Sequence, residues 1–306
     1  MDTKRELAKT SIPVSPSTIL HRATLVQTLV NAIEPRNSGW PSPYKLVLLC
    51  TPAGYGKTTL LIDTANHLAS MCCWYTLDKS DADQTIFIRR LYASIRRGFP
   101  TFGERFGSLL EANVLQMESD PTALSKLEDI SNALIDALKN EITQQFVLIF
   151  CNYQEVNESE PVNRMVDRVI SNLPQTGTVI IESQAMPNLT LAQLIASRQM
   201  FGLGNQGLRF SPQEVYELAR LQGFTTFSFG EAEQLANTFD GWIAGILLGS
   251  RLGYSQFHHP VALHTEHWGE TAFGGDHRQI LAYITNEVFK LSLIHISEPT
   301  RQAEIS

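Results

Sequence analysis

Apolar residues fall into two alternating patterns over the first two thirds of the chain. Short unbroken runs recur at residues 45–50 (KLVLLC), 72–77 (CCWYTL), 144–151 (QQFVLIFC) and 178–183 (TVIIES). Runs of this length without polar alternation predict strands buried on both faces, as in a parallel sheet. Between them, Leu124, Leu127, Ile130, Leu134 and Leu138 recur every three or four residues, as do Val162, Met165, Val166, Val169, Ile170 and Leu173. That spacing gives each helix one apolar stripe. Strands alternating with such helices predict an α/β fold, a parallel sheet covered by helices on both faces, with ligands at the carboxyl ends of the strands.

From about residue 210 the pattern becomes helix after helix. Ser211, Pro212 and Glu214 make a strong helix start, with a serine cap, proline in the first turn and a glutamate to close the capping box. The helix is expected to stop near Gly223. Residues 231–239 and 242–252 predict two more helices hinged at Asp240-Gly241, and 280–290 another. Residues 253–275, rich in Gly and His without a sustained period, read as a long surface loop.

The first apolar run leads into TPAGYGKTTL, and this changes the picture from architecture to chemistry. A strand followed by a glycine-bearing loop that ends Gly56-Lys57-Thr58-Thr59 and opens a helix is the signature of a nucleotide phosphate site. Backbone amides of Pro52–Thr59 other than the proline's, Ala53, Gly54, Tyr55 and Gly56 among them, would cradle phosphate at the positive end of the helix. Lys57 would neutralise the outer phosphates and the Thr58 hydroxyl would ligate Mg²⁺. The strict G-x-x-x-x-G-K-[ST] pattern fails only at its first position, which is Thr51. The organisation that follows is a lead segment over 1–40, a P-loop nucleotide-binding domain over 41–206 and a smaller, incomplete all-helical or winged-helix domain over 207–290.

Residues 291–306, LSLIHISEPTRQAEIS, resemble the conceptual translation of a transposon-derived sequencing adapter. They are expected to be non-native, with the natural reading frame interrupted near Lys290.

Composition narrows the class. With 306 residues and 43% hydrophobic content the chain can bury a substantial core. No apolar run approaches the roughly 18 residues of a membrane helix, and the N-terminus lacks a signal-peptide stretch, so a cytoplasmic, membrane-free protein is expected. The net charge of −7 disfavours a nucleic-acid surface within this segment. The cysteines at 50, 72, 73 and 151 have no disulfide or zinc spacing and read as buried thiols. His258, His259, His264, His267 and His277 lack accompanying ligands at metal spacing and read as a solvated loop. Asp78, Asp81 and Asp83 read as surface turn acids in preference to magnesium ligands. No serine sits in a nucleophile-elbow context.

Six segments in order, TPAGYGKTTL, WYTLDKSDAD, VLIFCNYQEV, LRFSPQEV, DGWIAGILL and YITNEVF, resemble the N-terminal ATPase part of the MalT-like, LuxR-type transcriptional regulators, which are STAND ATPases. The resemblance runs from about residue 13 to 290. It implies bound ADP in a resting monomer, ATP and an inducer ligand that promote self-association, a helical-repeat sensor, and promoter DNA bound only through a C-terminal helix-turn-helix that would lie downstream. Gly54, Gly56, Lys57, Thr58 and Thr59 match the family's nucleotide loop. Arg22 resembles an arginine that precedes the family's first strand and approaches the nucleotide; an exposed helix-start arginine is the other reading.

Two departures bear on catalysis. Where the family closes its third strand with paired acids this chain has Cys151 and Asn152, and where an arginine follows the fourth strand it has Gln184. Lost outer-shell support for a metal costs about 10 to 100-fold, and a lost transition-state cation roughly 10³ to 10⁵ in rate. The expectation is therefore a switch that binds ATP or ADP with Mg²⁺ and hydrolyses slowly at most. The alternatives are a P-loop small-molecule kinase or other P-loop ATPase, and a scaffold that binds no nucleotide. A kinase would need a lid of arginines, for which only Arg89-Arg90 and Arg96-Arg97 are available, and these read as the solvated face of a helix.

Overall fold

The structure, a computed structural model, describes residues 2–14, 19–34, 44–117 and 124–251. The expected loop at 253–275 with its five histidines, the helix at 280–290 and the adapter-like tail lie outside these residues. The chain divides into two compact units, Met1–Pro52 with Lys57–Gly207, and Ala53–Gly56 with Leu208–Ser306.

The first unit runs α1 (Asp2–Lys9), α2 (Ala23–Ile33), β1 (Leu46–Cys50), α3 (Lys57–His67), β2 (Met71–Thr76), α4 (Gln84–Gly98), α5 (Glu104–Met117), α6 (Leu124–Glu141), β3 (Phe146–Cys151), α7 (Glu160–Asn172), β4 (Gly177–Ser183), α8 (Leu191–Ala196) and β5 (Met200–Leu203). The five strands are parallel in the order β2-β3-β4-β1-β5. Every residue of β3 and β4 is buried. Successive side chains point to opposite faces, so helices must cover both.

The short edge strand β5 has no counterpart among the apolar runs, because its four residues are half-exposed or exposed and present no buried stretch. In register, Cys50 pairs with Ser183 and Thr76 with Cys151. The carboxyl ends of four strands thus share one edge. The chain reaches β4 on one side of β1 and then crosses to β5 on the other, which makes the end of β1 the crevice where α/β sheets bind ligands.

Two expectations about polar surfaces fail here. Asp81 is fully buried: its carboxylate accepts from Tyr75 Oη at 2.8 Å, Lys9 Nζ at 2.8 Å and the Asp78 amide at 2.7 Å, and pairs with Arg90. Arg90 is accordingly no part of a solvated face, and it also donates to Ser80 Oγ at 2.8 Å. Arg96 donates to the Pro100 carbonyl at 2.9 Å. Asp83 caps α4 by accepting from the Thr85 and Ile86 amides. The W-Y-T-L-D-x-x-D segment therefore builds a buried charge network that fastens α1 to the end of β2.

In the second unit, after α9 (Asn205–Leu208) at the boundary, come α10 (Pro212–Leu221), α11 (Phe229–Thr238) and α12 (Ile243–Arg251). Ser211 and Glu214 form the expected capping box, and Ser228 with Glu231 forms a second, which starts α11 two residues before the apolar pattern suggested. Asp240 and Gly241 both take positive φ, 51° and 69°, and the Phe210 amide donates to the Gly241 carbonyl at 2.9 Å. Only helices occur in this unit among its described residues.

Candidate nucleotide site

The loop after β1 begins anchored to the sheet, with the buried Thr51 amide donating to the Ser183 carbonyl at 3.3 Å. Lys57 opens α3 and is only 5% exposed. Its ammonium donates to the carbonyls of Thr51 at 2.7 Å and Pro52 at 3.0 Å. It also lies 3.3 Å from Glu182 Oε1.

Glu182, 2% exposed and next to last in an otherwise apolar and small-polar strand, is the site residue that sequence reasoning missed. A lone acid inside a strand buried on both faces needs a cationic partner, and that was the available signal. Its other oxygen accepts from the Asn152 amide at 2.9 Å. Asn152 takes a left-handed conformation, φ 61° and ψ 42°, that turns this amide toward β4. An acid thus sits at this edge after all, on the fourth strand and not at the end of the third.

Of the remaining named positions only Arg22 carries a charge. Burial raises the Cys151 thiol pKa well above its ordinary value, and the nearby Glu182 charge raises it further. Burial also raises Cys50, with Lys57 opposing and Glu182 reinforcing the shift. Both thiols stay protonated at neutral pH. The Gln184 amide donates to Gln154 Oε1 at 3.1 Å, which ties the segments after β4 and β3 together. Thr58 is exposed in the first turn of α3, and Thr59 beside it is half-buried. Arg22 is buried at the start of α2, so it is not the exposed helix-start residue.

The tip of the loop, Ala53–Gly56, counts with the second unit. There the Trp242 indole donates to the Ala53 carbonyl at 2.8 Å and the Ala244 amide to the Gly54 carbonyl at 3.0 Å. Gly54 and Gly56 take φ 85° and 76°. A Cβ on Gly54 would come within 2.5 Å of Trp242 Nε1 and Ala244 Cβ, so backbone conformation and close approach both demand glycine. Around Tyr55, burial raises the phenol pKa, Asp240 reinforces this and Arg209 opposes it.

A parallel sheet of this order with a glycine loop and lysine between its first strand and helix defines an α/β P-loop nucleotide-binding fold. In sequence the chain is similar to the HTH-type transcriptional regulator MalT. The Yersinia pestis (strain Pestoides F) protein is 27% identical over 210 residues, 67% of this chain and 21% of the relative. The Yersinia enterocolitica (serotype O:8) protein is 25% identical over 205 residues, with the same shares. The chain is thus homologous to MalT regulators, as the six ordered segments implied, and spans about a fifth of the length of these curated relatives.

No protein-family profile matches. Among solved structures, Cdc6p from Pyrobaculum aerophilum superposes with a TM-score of 0.46 at 14% identity, over 79% of this chain and 63% of that one. The Walker-type ATPase PABY2304 of Pyrococcus abyssi gives 0.43 at 15%, over 96% and 80%. The fold assignment stands on the sheet order and the loop. Among the described residues no helix is long and apolar enough to cross a membrane.

Proposed function

We propose that this chain is the nucleotide-binding switch module of a MalT-like, LuxR-type transcriptional regulator of the cytoplasm. It would take ATP or ADP with Mg²⁺ and turn ATP over slowly. The observation that carries the reading is Lys57, buried at the head of α3 between two loop carbonyls and Glu182. The positive φ of Gly54 and Gly56 fits a loop whose amides face an anion. Bound there, a nucleotide would supply the phosphates that Lys57 neutralises, and Thr58 would offer its hydroxyl to the magnesium ion.

Slow turnover follows from the ends of the strands. Cys151 is a protonated thiol, Asn152 is neutral, and the acid available on β4 is already engaged by Lys57 and the Asn152 amide. Binding rests mainly on backbone amides and Lys57, which these substitutions leave in place. A switch also requires nucleotide to bind two arrangements unequally. Trp242 and Ala244, which hold the Ala53 and Gly54 carbonyls within the second unit, would register a change at the loop tip. Inducer binding, self-association and promoter DNA would belong to the remainder of a full-length regulator.

Calorimetric titration with ADP and ATP, paired with a phosphate-release assay, tests the proposal. Binding without appreciable turnover, lost in Lys57→Ala, is the expected result. Absence of binding means a scaffold, and transfer of phosphate to a small acceptor means a kinase. The kinase reading has little to draw on, since Arg90 and Arg96 are both tied down locally.

A further inference from the structure

Among the described residues, one cluster of metal-ligating side chains stands apart from the phosphate loop: His21, Asp63 and His67. Asp63 and His67 lie one turn apart on α3 and share a face. His21 arrives from the segment before α2. Its Nδ1 is 2.8 Å from Asp63 Oδ2, and His67 Nδ1 is 3.3 Å from Asp63 Oδ1. The two imidazoles stack with centroids 4.8 Å apart and planes 24° apart. Two distant stretches of chain thus bring two rings onto one carboxylate, with a ligand atom from each residue within 4.8 Å of the others.

Ligand atoms about 2.0–2.2 Å from a tetrahedral zinc ion stand roughly 3.3–3.5 Å from one another, so the present spacing needs only small side-chain adjustment. Two imidazoles and one carboxylate favour zinc, cobalt, nickel or copper over magnesium or calcium. The histidine side chains are 49% and 50% exposed, which leaves room for water as a fourth ligand. His67 is the last residue of α3, where the helix carbonyls favour a cation. Hydrogen bonds satisfy the same groups without metal, since His67 Nδ1 also lies 2.8 Å from the Asp63 carbonyl oxygen. A metal would displace the protons now on these nitrogens, or take His67 through Nε2.

We propose that His21, Asp63 and His67 bind a divalent first-row transition ion, zinc being the best match, which clips the segment before α2 onto the phosphate helix. Asp63 and His67 lie about 9 and 15 Å along α3 from Lys57, so the site is distinct from any nucleotide-bound magnesium.

Metal-free full-length chain, without nucleotide, would be titrated with Co²⁺ followed by its d–d absorption and with Zn²⁺ by calorimetry. One equivalent should bind saturably, and His21→Ala, His67→Ala and Asp63→Asn should each weaken it by about 10-fold or more. Zn²⁺ should raise the melting temperature of the wild type but not of the variants, whose metal-free circular dichroism should match the wild type. Absence of saturable binding overturns the proposal. So does binding that survives in both histidine variants, which would place the ion on histidines such as His264 or His267.

Discussion

The Lys57 ammonium lies 3.3 Å from the Glu182 carboxylate, and both residues are almost wholly inaccessible to water. A buried pair of this kind recovers its desolvation cost only through good geometry and further hydrogen bonds. Here the Thr51 and Pro52 carbonyls and the Asn152 amide supply those bonds. A phosphate arriving at the loop must therefore compete with Glu182 for the lysine.

Replacing Glu182 by Gln separates that competition from a role of Glu182 in serving the nucleotide. Breaking a buried pair costs about 3–5 kcal/mol at most, and Gln keeps an acceptor for the Asn152 amide, so part of that loss is expected in urea melts. ADP should bind more tightly, because phosphate becomes the only counter-charge for Lys57; a gain of about 1.4 kcal/mol would read as tenfold in calorimetry. Weaker ADP binding in the variant would show that Glu182 works for the nucleotide and not against it.

The parts of this site differ in how far the sequence revealed them. The four buried strands, the loop and the Ser211 cap were readable because each rests on local pattern: unbroken apolar runs, glycine spacing and a serine three residues before a glutamate. Glu182 was not, because its meaning depends on β4 lying beside β1, a pairing between residues far apart in sequence. Asp81 and Arg90 read as surface charges for the same reason, since their partners Lys9 and Tyr75 arrive from α1 and β2. The edge strand β5 carries too few buried residues to announce itself.

Gly54 at the loop tip and Trp242, which bonds to the tip, form the second test. Gly54→Ala places a methyl group where only 2.5 Å is available and forces an L-residue to φ 85°, so it should destabilise the protein by several kcal/mol. Trp242→Phe keeps most of the ring and leaves the Ala53 carbonyl without its indole donor, for about 1 kcal/mol. Denaturant midpoints measure both. Equal effects of the two variants would contradict the close approach at Gly54.

The buried network around Asp81 predicts a stronger effect than any single surface charge. Asp81→Asn leaves Lys9 and Arg90 facing a neutral group in a closed environment and should cost about 3–5 kcal/mol, whereas Glu160→Gln, which breaks an exposed pair with Arg164, should cost about 0–1 kcal/mol. Asp78 adds a pH dependence. Burial pushes its carboxyl up, but hydrogen bonds from Lys9 and Ser80 outweigh this and hold its pKa below the usual carboxylate range. Its folded value is thus depressed, so its contribution is present above the ordinary aspartate pKa of about 3.9 and is lost as pH falls below that. Thermal melts from neutral pH to pH 3 should show a shallower acid decline in Asp78→Asn; an unchanged slope would remove Asp78 from the acid response.

Restoring an acid at the end of β3 tests the cause assigned to slow turnover. Asn152 already sits in a left-handed conformation that aspartate tolerates, and its amide to Glu182 is a backbone contact that substitution preserves. Asn152→Asp should therefore fold, with a modest loss from placing a second carboxylate near the first. Cys151→Asp is the contrasting variant, because position 151 is buried and a carboxylate there should destabilise the domain strongly. If the missing acid limits hydrolysis, Asn152→Asp should raise phosphate release in single-turnover assays by about 10 to 100-fold, the range for restoring support to a metal shell. ADP affinity should change far less, because the loop amides and Lys57 are untouched. A rate no faster than that of the wild-type chain would shift the cause to Gln184, where the family places an arginine.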